Sequence, residues 1–413
     1  MTKHQKIEAV VREHHGRLVA ALARRFSDLS LAEDALQDAM VEALADWSSE
    51  NWPTNPPAWL MTVASRKAID RLRRQSLYHT KINNLVLDTE NDRPVEKNQE
   101  DIPDHRLQLI FACCHPAIAE KNRTALILKV ICGLSTEQIA KAWLVSEITM
   151  AQRLVRTKKK ISKAGIPLSI PETPQLSNRI KGVLEVIYLI FNAGYQTSDT
   201  ASLVDIDLCD EAIYLGKLVM SLLPEQMEVI GLVALMLFHH SRVNARTTAE
   251  GDLVLMEDQD RTLWDQEKIA LADKLLKSSL MKGDLGPYQV QAAISAVHCH
   301  SKTFEDTDWR QILLLYHHLE LYQPGPVVQL NLAVALSFAE GPKQGLYYLD
   351  NIPALQKLTQ YHPYYVARAD MLRRTGDPQA AAEQLRIAIS FTNNKIEIEH
   401  LRRQLNVLDK ENS

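Results

Sequence analysis

Long apolar runs are absent from this sequence. No stretch of its 413 residues approaches the roughly 18 consecutive apolar residues that suggest a membrane span, and the first residues lack the apolar segment of a secretion signal. The five cysteines are odd in number and show no repeated metal-ligand spacing. These absences predict a cytoplasmic protein with reduced thiols, no membrane partner, no metal and no cofactor.

Glycine is also scarce, with 14 residues in the whole chain, whereas strong helix formers are abundant. We therefore predict an all-α protein, long enough for several cores. Breaker-rich or acidic stretches divide it. The expected parts are a helical unit at 1–77, an acidic linker at 78–104, a second helical unit at 105–165, a proline-rich linker at 166–175 and a long helical domain at 176–413.

Charge is distributed unevenly along the chain. The net charge of −4 argues weakly against a nucleic-acid partner. However, residues 1–165 carry 25 Lys and Arg against 20 Asp and Glu, while the remainder carries 22 against 31. Because residues 1–165 are basic, the net charge of the whole chain does not exclude nucleic acid as a partner.

The first helical unit contains an acidic row. Asp34, Asp38 and Glu42 recur at i, i+4 and i+8, so they lie on one face of a predicted helix. Like charges in such a row cost about a few tenths of a kcal/mol each, which a basic partner would offset. A solvated acidic surface is the alternative interpretation.

A basic helix is predicted from about Ala58 to Gln75. Its cations fit a phosphate backbone, although a solvated helix end is the alternative. These cations are Arg66, Lys67, Arg71, Arg73 and Arg74.

The second unit has the layout of a helix-turn-helix. Gly133 ends one helix, Ser135 and Gln138 form a capping box for the next, and Ser146 caps a third that runs to about Lys163. The first turns of such a recognition helix face base edges, while later cations hold phosphates. The predicted base readers are Glu147, Thr149, Met150, Gln152 and Arg153, and the predicted phosphate contacts begin with Arg156 and Lys158. An ordinary helical hairpin with a basic end is the alternative.

Several runs resemble extracytoplasmic-function sigma factors. Ala32–Ala39 (AEDALQDA), Pro57–Leu60 (PAWL) and Ala68–Arg74 (AIDRLRR) resemble their region two. Gly133–Ala140 (GLSTEQIA) and Thr149–Arg156 (TMAQRLVR) resemble their region four.

A narrower resemblance extends this to almost the whole chain. Leu109–Pro116 (LIFACCHP), Glu257–Arg261 (EDQDR) and Trp264 are similar to the subgroup with a tetratricopeptide-like C-terminal extension.

The resemblance implies core RNA polymerase and promoter DNA as partners, in transcription initiation and without catalysis. It places four residues against the coiled-coil clamp of the polymerase: Asp34, Gln37, Asp38 and Glu42. It implies that the segment Asn51–Trp59 captures an unstacked base of the minus-ten element, that the basic helix follows the adjacent DNA, and that residues 147–158 read the minus-thirty-five element. Trp52 and Trp59 are possible stacking groups, with a core role as the alternative.

The last part shows a loose repeat. Residues 326–352 and 363–389 have similar layouts, which indicates tetratricopeptide-like helix pairs. We expect this acidic domain to modulate activity by docking on the sigma regions or the polymerase. Solvated loop carboxylates are favoured over a cation site at Glu257, Asp258, Asp260 and Asp265, and His298 to His300 lack zinc spacing. The rival functions are a tetratricopeptide scaffold and a helix-turn-helix repressor, neither bound to polymerase.

Overall fold

The computed structural model describes residues 3–48, 51–79, 105–142, 145–195, 204–248, 251–283, 285–353, 355–392 and 394–411. Over these ranges the chain is helical, and its β structure is a single isolated bridge between Thr247 and Leu253. The all-α prediction is confirmed. All but the first two residues of the predicted acidic linker at 78–104 lie outside the described ranges.

The chain divides into two compact units, Met1–Val186 and Ile187–Ser413, and the division falls within helix α8. The N-terminal unit has a three-helix group, α1 (Lys3–Phe26), α2 (Leu29–Asp46) and α3 (Pro56–His79). It continues with a helix-turn-helix group, α4 (Arg106–Cys113), α5 (Glu120–Val130), α6 (Thr136–Ala142) and α7 (Glu147–Lys163). Helix α8 spans Thr173–Tyr195, so it begins inside the predicted proline-rich linker.

The C-terminal unit continues with helices that pack mainly against their neighbours in sequence. They are α9 (Ile206–Leu222), α10 (Met227–His240), α11 (Gln266–Leu280), α12 (Pro287–His300), α13 (Trp309–Tyr322), α14 (Pro326–Ala339), α15 (Pro342–Asp350), α16 (His362–Arg374), α17 (Pro378–Ser390) and α18 (Lys395–Glu411).

The predicted helix pairs are present in this unit. Helices α14 and α15 form one pair and α16 and α17 the next, each with a proline in the first turn of both helices. Two members of the predicted carboxylate cluster serve as caps. Asp260 accepts a hydrogen bond from the Thr262 N–H, and Asp265 accepts one from the Lys268 N–H.

The three-helix group is built around apolar faces that the sequence places at helical spacing. Leu18, Leu22, Leu36 and Leu60 are at most 1% exposed. Trp47, at the end of α2, is also buried. Burying one such leucine contributes about 1.5–3 kcal/mol, so this core orients α2 and α3 firmly.

The two groups of the N-terminal unit pack directly on each other. A Cβ atom added to Gly16 of α1 would lie 2.5 Å from the Ile131 carbonyl oxygen, so only glycine permits this approach. Next to it, the His15 ring lies against Gly133, which has a positive φ of 74° at the end of α5. Burial, together with the charge of Lys129, lowers the pKa of His15 to about 4.

Acid should therefore loosen the packing of the two groups. His15 is neutral in the packed state, but an exposed histidine has a pKa near 6.5, so the unpacked state binds the proton more readily. Packing stability is present above about pH 6.5 and falls as the pH drops toward about 4.

The measurement is the distance between spin labels attached in an R66C/K163C variant that also carries C299S. Lowering the pH from about 7 to about 5 should broaden and lengthen this distance. The added substitution His15→Leu should reduce the change, and His317→Leu, at an exposed position, should not. An equal response with and without His15 would contradict this account.

Candidate nucleic-acid interface

The helix-turn-helix forms through local caps. The Leu134 N–H donates to the Leu128 carbonyl at 3.1 Å around Gly133, which closes α5. At α6, Ser135 and Gln138 exchange hydrogen bonds at 2.8 and 3.1 Å, the predicted capping box. The Ser146 hydroxyl oxygen accepts from the Thr149 N–H at 3.2 Å and begins α7. The caps expected from the sequence are confirmed, while the turn residues 143 and 144 lie outside the described ranges.

One face of α7 is anchored in the core. Met150, Leu154, Thr157 and Ile161 are all buried, and α7 packs on α5 and α6. Met150 is completely buried. Its prediction as a base reader is therefore corrected: the side chain fills the core and cannot reach a base edge.

The opposite face of α7 is open to solvent. Ile148 is 72% and Val155 is 60% exposed, and Gln152 and Arg156 lie exposed beside them. Exposed β-branched residues beside a polar reader suit contact with thymine methyl groups. The rule for recognition helices does not predict Ile148 and Val155 as readers. Their seven-residue spacing, opposite the buried row, is the signal that could have found them.

The other predicted readers occupy the edges of this face. Glu147 is exposed and Arg153 is half-buried. Thr149 is exposed, and its hydroxyl lies 2.8 Å from that of Ser146, so it also takes part in the cap.

A basic concavity follows on α7. It is lined by Arg156, Lys159, Lys160 and Lys163. Among the described residues, no carboxylate lies within 4.0 Å of the three lysines. Unpaired cations on a concave surface suit phosphate oxygens.

Lys158 differs from its neighbours because it faces inward. Its amine lies 3.0 Å from the Glu33 carboxylate of α2, and the two side chains are only 16% and 10% exposed. The contact is an ion pair whose geometry is not aligned for a hydrogen bond. Lys158, predicted to contact phosphate, is therefore engaged by the three-helix group in this conformation.

The acidic row of α2 also has its cationic partner within the chain. The Arg71 guanidinium of α3 contacts Asp34 and Asp38, each at 2.7 Å. Lys67 contacts Glu42 at 2.5 Å, and this hydrogen bond raises the pKa of Lys67. Predicted polymerase contacts and predicted DNA contacts are thus paired with each other, which sequence spacing did not show.

The same surface also carries exposed side chains. Gln37 is exposed on α2, and Val41, which lies between Gln37 and Asp38 around the helix, is 64% exposed. On α3, Arg66, Arg73 and Arg74 are exposed.

The tryptophans of the minus-ten segment pack on the core. The rings of Trp52 and Trp59 stand edge-on to buried Trp47, with centroids at 4.9 and 5.3 Å. Asn55 caps α3 by accepting from the Ala58 N–H at 3.1 Å. This arrangement favours the core role for Trp59, and a stacking role stays a prediction.

Comparisons with known proteins agree with this geometry. Residues 10–78 match Sigma-70 region 2, residues 108–161 match Sigma-70, region 4, and residues 179–280 match a family of unknown function, DUF6596. The uncharacterized protein R00370 of Rhizobium meliloti is 40% identical over 95% of this chain and 93% of its own length.

Two shorter relatives are named sigma factors. RNA polymerase sigma factor YlaC of Bacillus subtilis is 26% identical over 40% of this chain and 96% of its own length. Ferric citrate uptake sigma factor FecI of Escherichia coli is 28% identical over 38% and 85%. The chain belongs to the extracytoplasmic-function sigma factors.

In this sigma factor, the three-helix group is region two and the helix-turn-helix group is region four. The protein is a promoter-recognising factor for RNA polymerase with an additional helical region at its C-terminal side. Within the described ranges, no helix combines the length and apolarity needed to cross a bilayer.

Two substitutions in region four should separate packing from recognition. Met150→Ala should lower the free energy of unfolding by about 2–5 kcal/mol, because it empties a core position, and should leave base preference unchanged. Ile148→Ala should change stability by less than about 0.5 kcal/mol but weaken binding to promoter DNA. Denaturant unfolding measures the stability of each variant. Binding to a panel of promoter DNAs with single-base changes measures affinity and base preference. An altered base preference for folded Met150→Ala would contradict the burial argument.

Proposed function

We propose that region two binds core polymerase through the exposed face of α2. This face carries the apolar Val41 and half-exposed Leu44 beside Gln37, with the Asp34, Asp38 and Glu42 carboxylates around them. A protein interface with an apolar centre and a charged rim fits this pattern. The carboxylates still make the surface potential negative although they are paired. Val41 supplies apolar surface that is buried when polymerase binds.

Helices α7 and α3 contact the promoter. The outward face of α7 reads base edges of the minus-thirty-five element through Ile148, Gln152 and Val155, and its basic concavity holds the phosphates that follow. On α3, Arg66, Arg73 and Arg74 follow the DNA beside the minus-ten element. Each phosphate contact contributes about 0.9 to the salt dependence of binding and reads no sequence. The observation that carries this proposal is the division of α7 into a buried row and an exposed row.

Polymerase binding and DNA binding are coupled through α2. Carboxylates of this helix hold Lys67, Arg71 and Lys158, which are cations of the two DNA-binding helices. A basic partner that contacts α2 competes for these carboxylates and releases the cations toward phosphates. By linkage, DNA then favours polymerase binding to the same extent.

The C-terminal unit modulates this activity in the bacterial cytoplasm, where the polymerase acts. Its excess of acidic residues supports an electrostatic contact with basic sigma regions or with polymerase. A scaffold or repressor function would need no α2 surface, so co-elution with core polymerase separates these alternatives.

The decisive experiment is run-off transcription with sigma-free core polymerase. Wild-type protein should direct initiation at defined start sites. Val41→Glu should weaken polymerase binding by at least about tenfold, because it places a charge at the centre of the interface, and added protein should restore transcription. The matched control Leu321→Glu changes a 78% exposed leucine of α13 and should behave like wild type.

Both negative outcomes are informative. If Val41→Glu binds polymerase as tightly as the control, this face of α2 is not the contact. If wild-type protein gives no defined start sites at low salt, the proposed function fails as a whole.

A further inference from the structure

Three arginines cluster in the segment that joins α10 to α11, within the residues that match the family of unknown function. Arg242 is only 5% exposed, and Arg246 and Arg261 are half-buried. The cluster therefore extends from the interior of the C-terminal unit toward its surface. No part of the proposed transcription mechanism uses these residues.

Arg242 has weak partners for a buried cation. One terminal nitrogen lies 3.4 Å from the Met256 sulfur, and the other lies 3.1 Å from Nδ1 of His239. Its Nε atom is buried without a hydrogen-bond partner. Burial and the neighbouring arginines hold the pKa of His239 well below its ordinary value, so the imidazole contributes no charge.

Arg261 and Arg246 are the other two members of the cluster. Arg261 donates to the carbonyl oxygens of His298 and Ser301 at 2.6 and 2.7 Å through one nitrogen, while its Nη2 atom is buried without a partner. Arg242 and Arg261 both lie over the Trp264 ring, at 5.6 and 4.6 Å from its centre. Arg246 stacks at 4.0 Å on Tyr195, whose ring lies 5.2 Å from that of His239.

The cluster has no direct counter-ion within the described residues, although the more distant charges of Glu305 and Asp306 act on Arg261. No Asp or Glu of those ranges lies within 4.0 Å of Arg242, Arg246 or Arg261. Buried ions are normally paired, because desolvation of a charge is costly unless an opposite charge compensates it. Aromatic faces and carbonyls offset only part of this cost, and they leave the two free N–H groups unused.

We propose that this arginine cluster binds an oxyanion, either a phosphate or a carboxylate group of a small ligand. The planar N–H fork of arginine matches both groups, and an oxyanion offers acceptors for the two unused nitrogens. A bound oxyanion would connect the three arginines to one another. The arginines already contact residues of α8, α10 and α12, so the anion would stabilise the packing of these helices. The family of unknown function would thereby act as a ligand-binding module.

Thermal unfolding of the full-length protein tests the site, with inorganic phosphate, sodium acetate and sodium chloride at matched ionic strength. A hundredfold excess over the dissociation constant should raise the unfolding temperature of the C-terminal unit by about 5–10 °C for the bound anion relative to chloride. A shift with phosphate identifies phosphate as the group, and a shift with acetate alone identifies carboxylate. Isothermal titration of the same anions measures binding directly.

The variants are Arg242→Met and Arg261→Met, with Arg310→Met at an exposed position as the matched control. Both cluster variants should lose the anion-dependent shift, and the control should keep it. Without anion, Arg242→Met should unfold at the same or a higher temperature than wild type, because it removes an uncompensated buried charge. Should Arg242→Met fail to fold, the half-buried Arg261→Met and the titration of wild type still decide the question.

Equal unfolding temperatures in phosphate, acetate and chloride, together with no titration heat, would overturn the proposal. An anion shift retained by Arg261→Met would do so too. None of these measurements depends on polymerase, so the outcome is independent of the sigma function.

Discussion

The arrangement of the N-terminal unit depends on the ion pairs that the carboxylates of α2 make. Asp34 and Asp38 hold Arg71, Glu42 holds Lys67, and Glu33 holds Lys158. The first three lie at a half-exposed surface, where solvent and salt screen them and each pair contributes little to stability. The Glu33 pair is largely buried, and breaking such a pair by removing one partner costs about 3–5 kcal/mol. One helix thus holds cations of both α3 and α7.

In the free protein, these ion pairs hold cations of α3 and α7 against α2. Gly16 and Gly133 allow α1 to approach the end of α5, and Glu33 then reaches both Lys158 and the neighbourhood of Lys129. A cation used for a carboxylate is unavailable to a phosphate. Under the proposed function, the same contacts that stabilise the packed unit reduce its attraction for DNA until polymerase occupies α2.

Much of this structure was predictable because the signals are local. The Ser135–Gln138 capping box and the Ser146 cap each follow from a few adjacent residues, and the helix pairs follow from the similar layouts of 326–352 and 363–389. The general rule for recognition helices predicts Met150 as a base reader because the rule does not separate the buried and exposed faces of α7. The spacing of Met150, Leu154 and Ile161 contains that information. The Arg71 and Lys158 ion pairs could not be predicted from the sequence, because they depend on how helices distant in sequence are rotated about their axes.

The most direct test compares the affinity of free protein for duplex promoter DNA among wild type, Glu33→Gln and Glu13→Gln at low salt. Both variants remove one negative charge from region two, but Glu13 is 75% exposed and its carboxylate lies 3.9 Å from His14 of the same helix. Release of Lys158 should make Glu33→Gln bind about tenfold more tightly than Glu13→Gln. Equal affinities for the two variants would contradict the claim that α2 withholds DNA-binding cations.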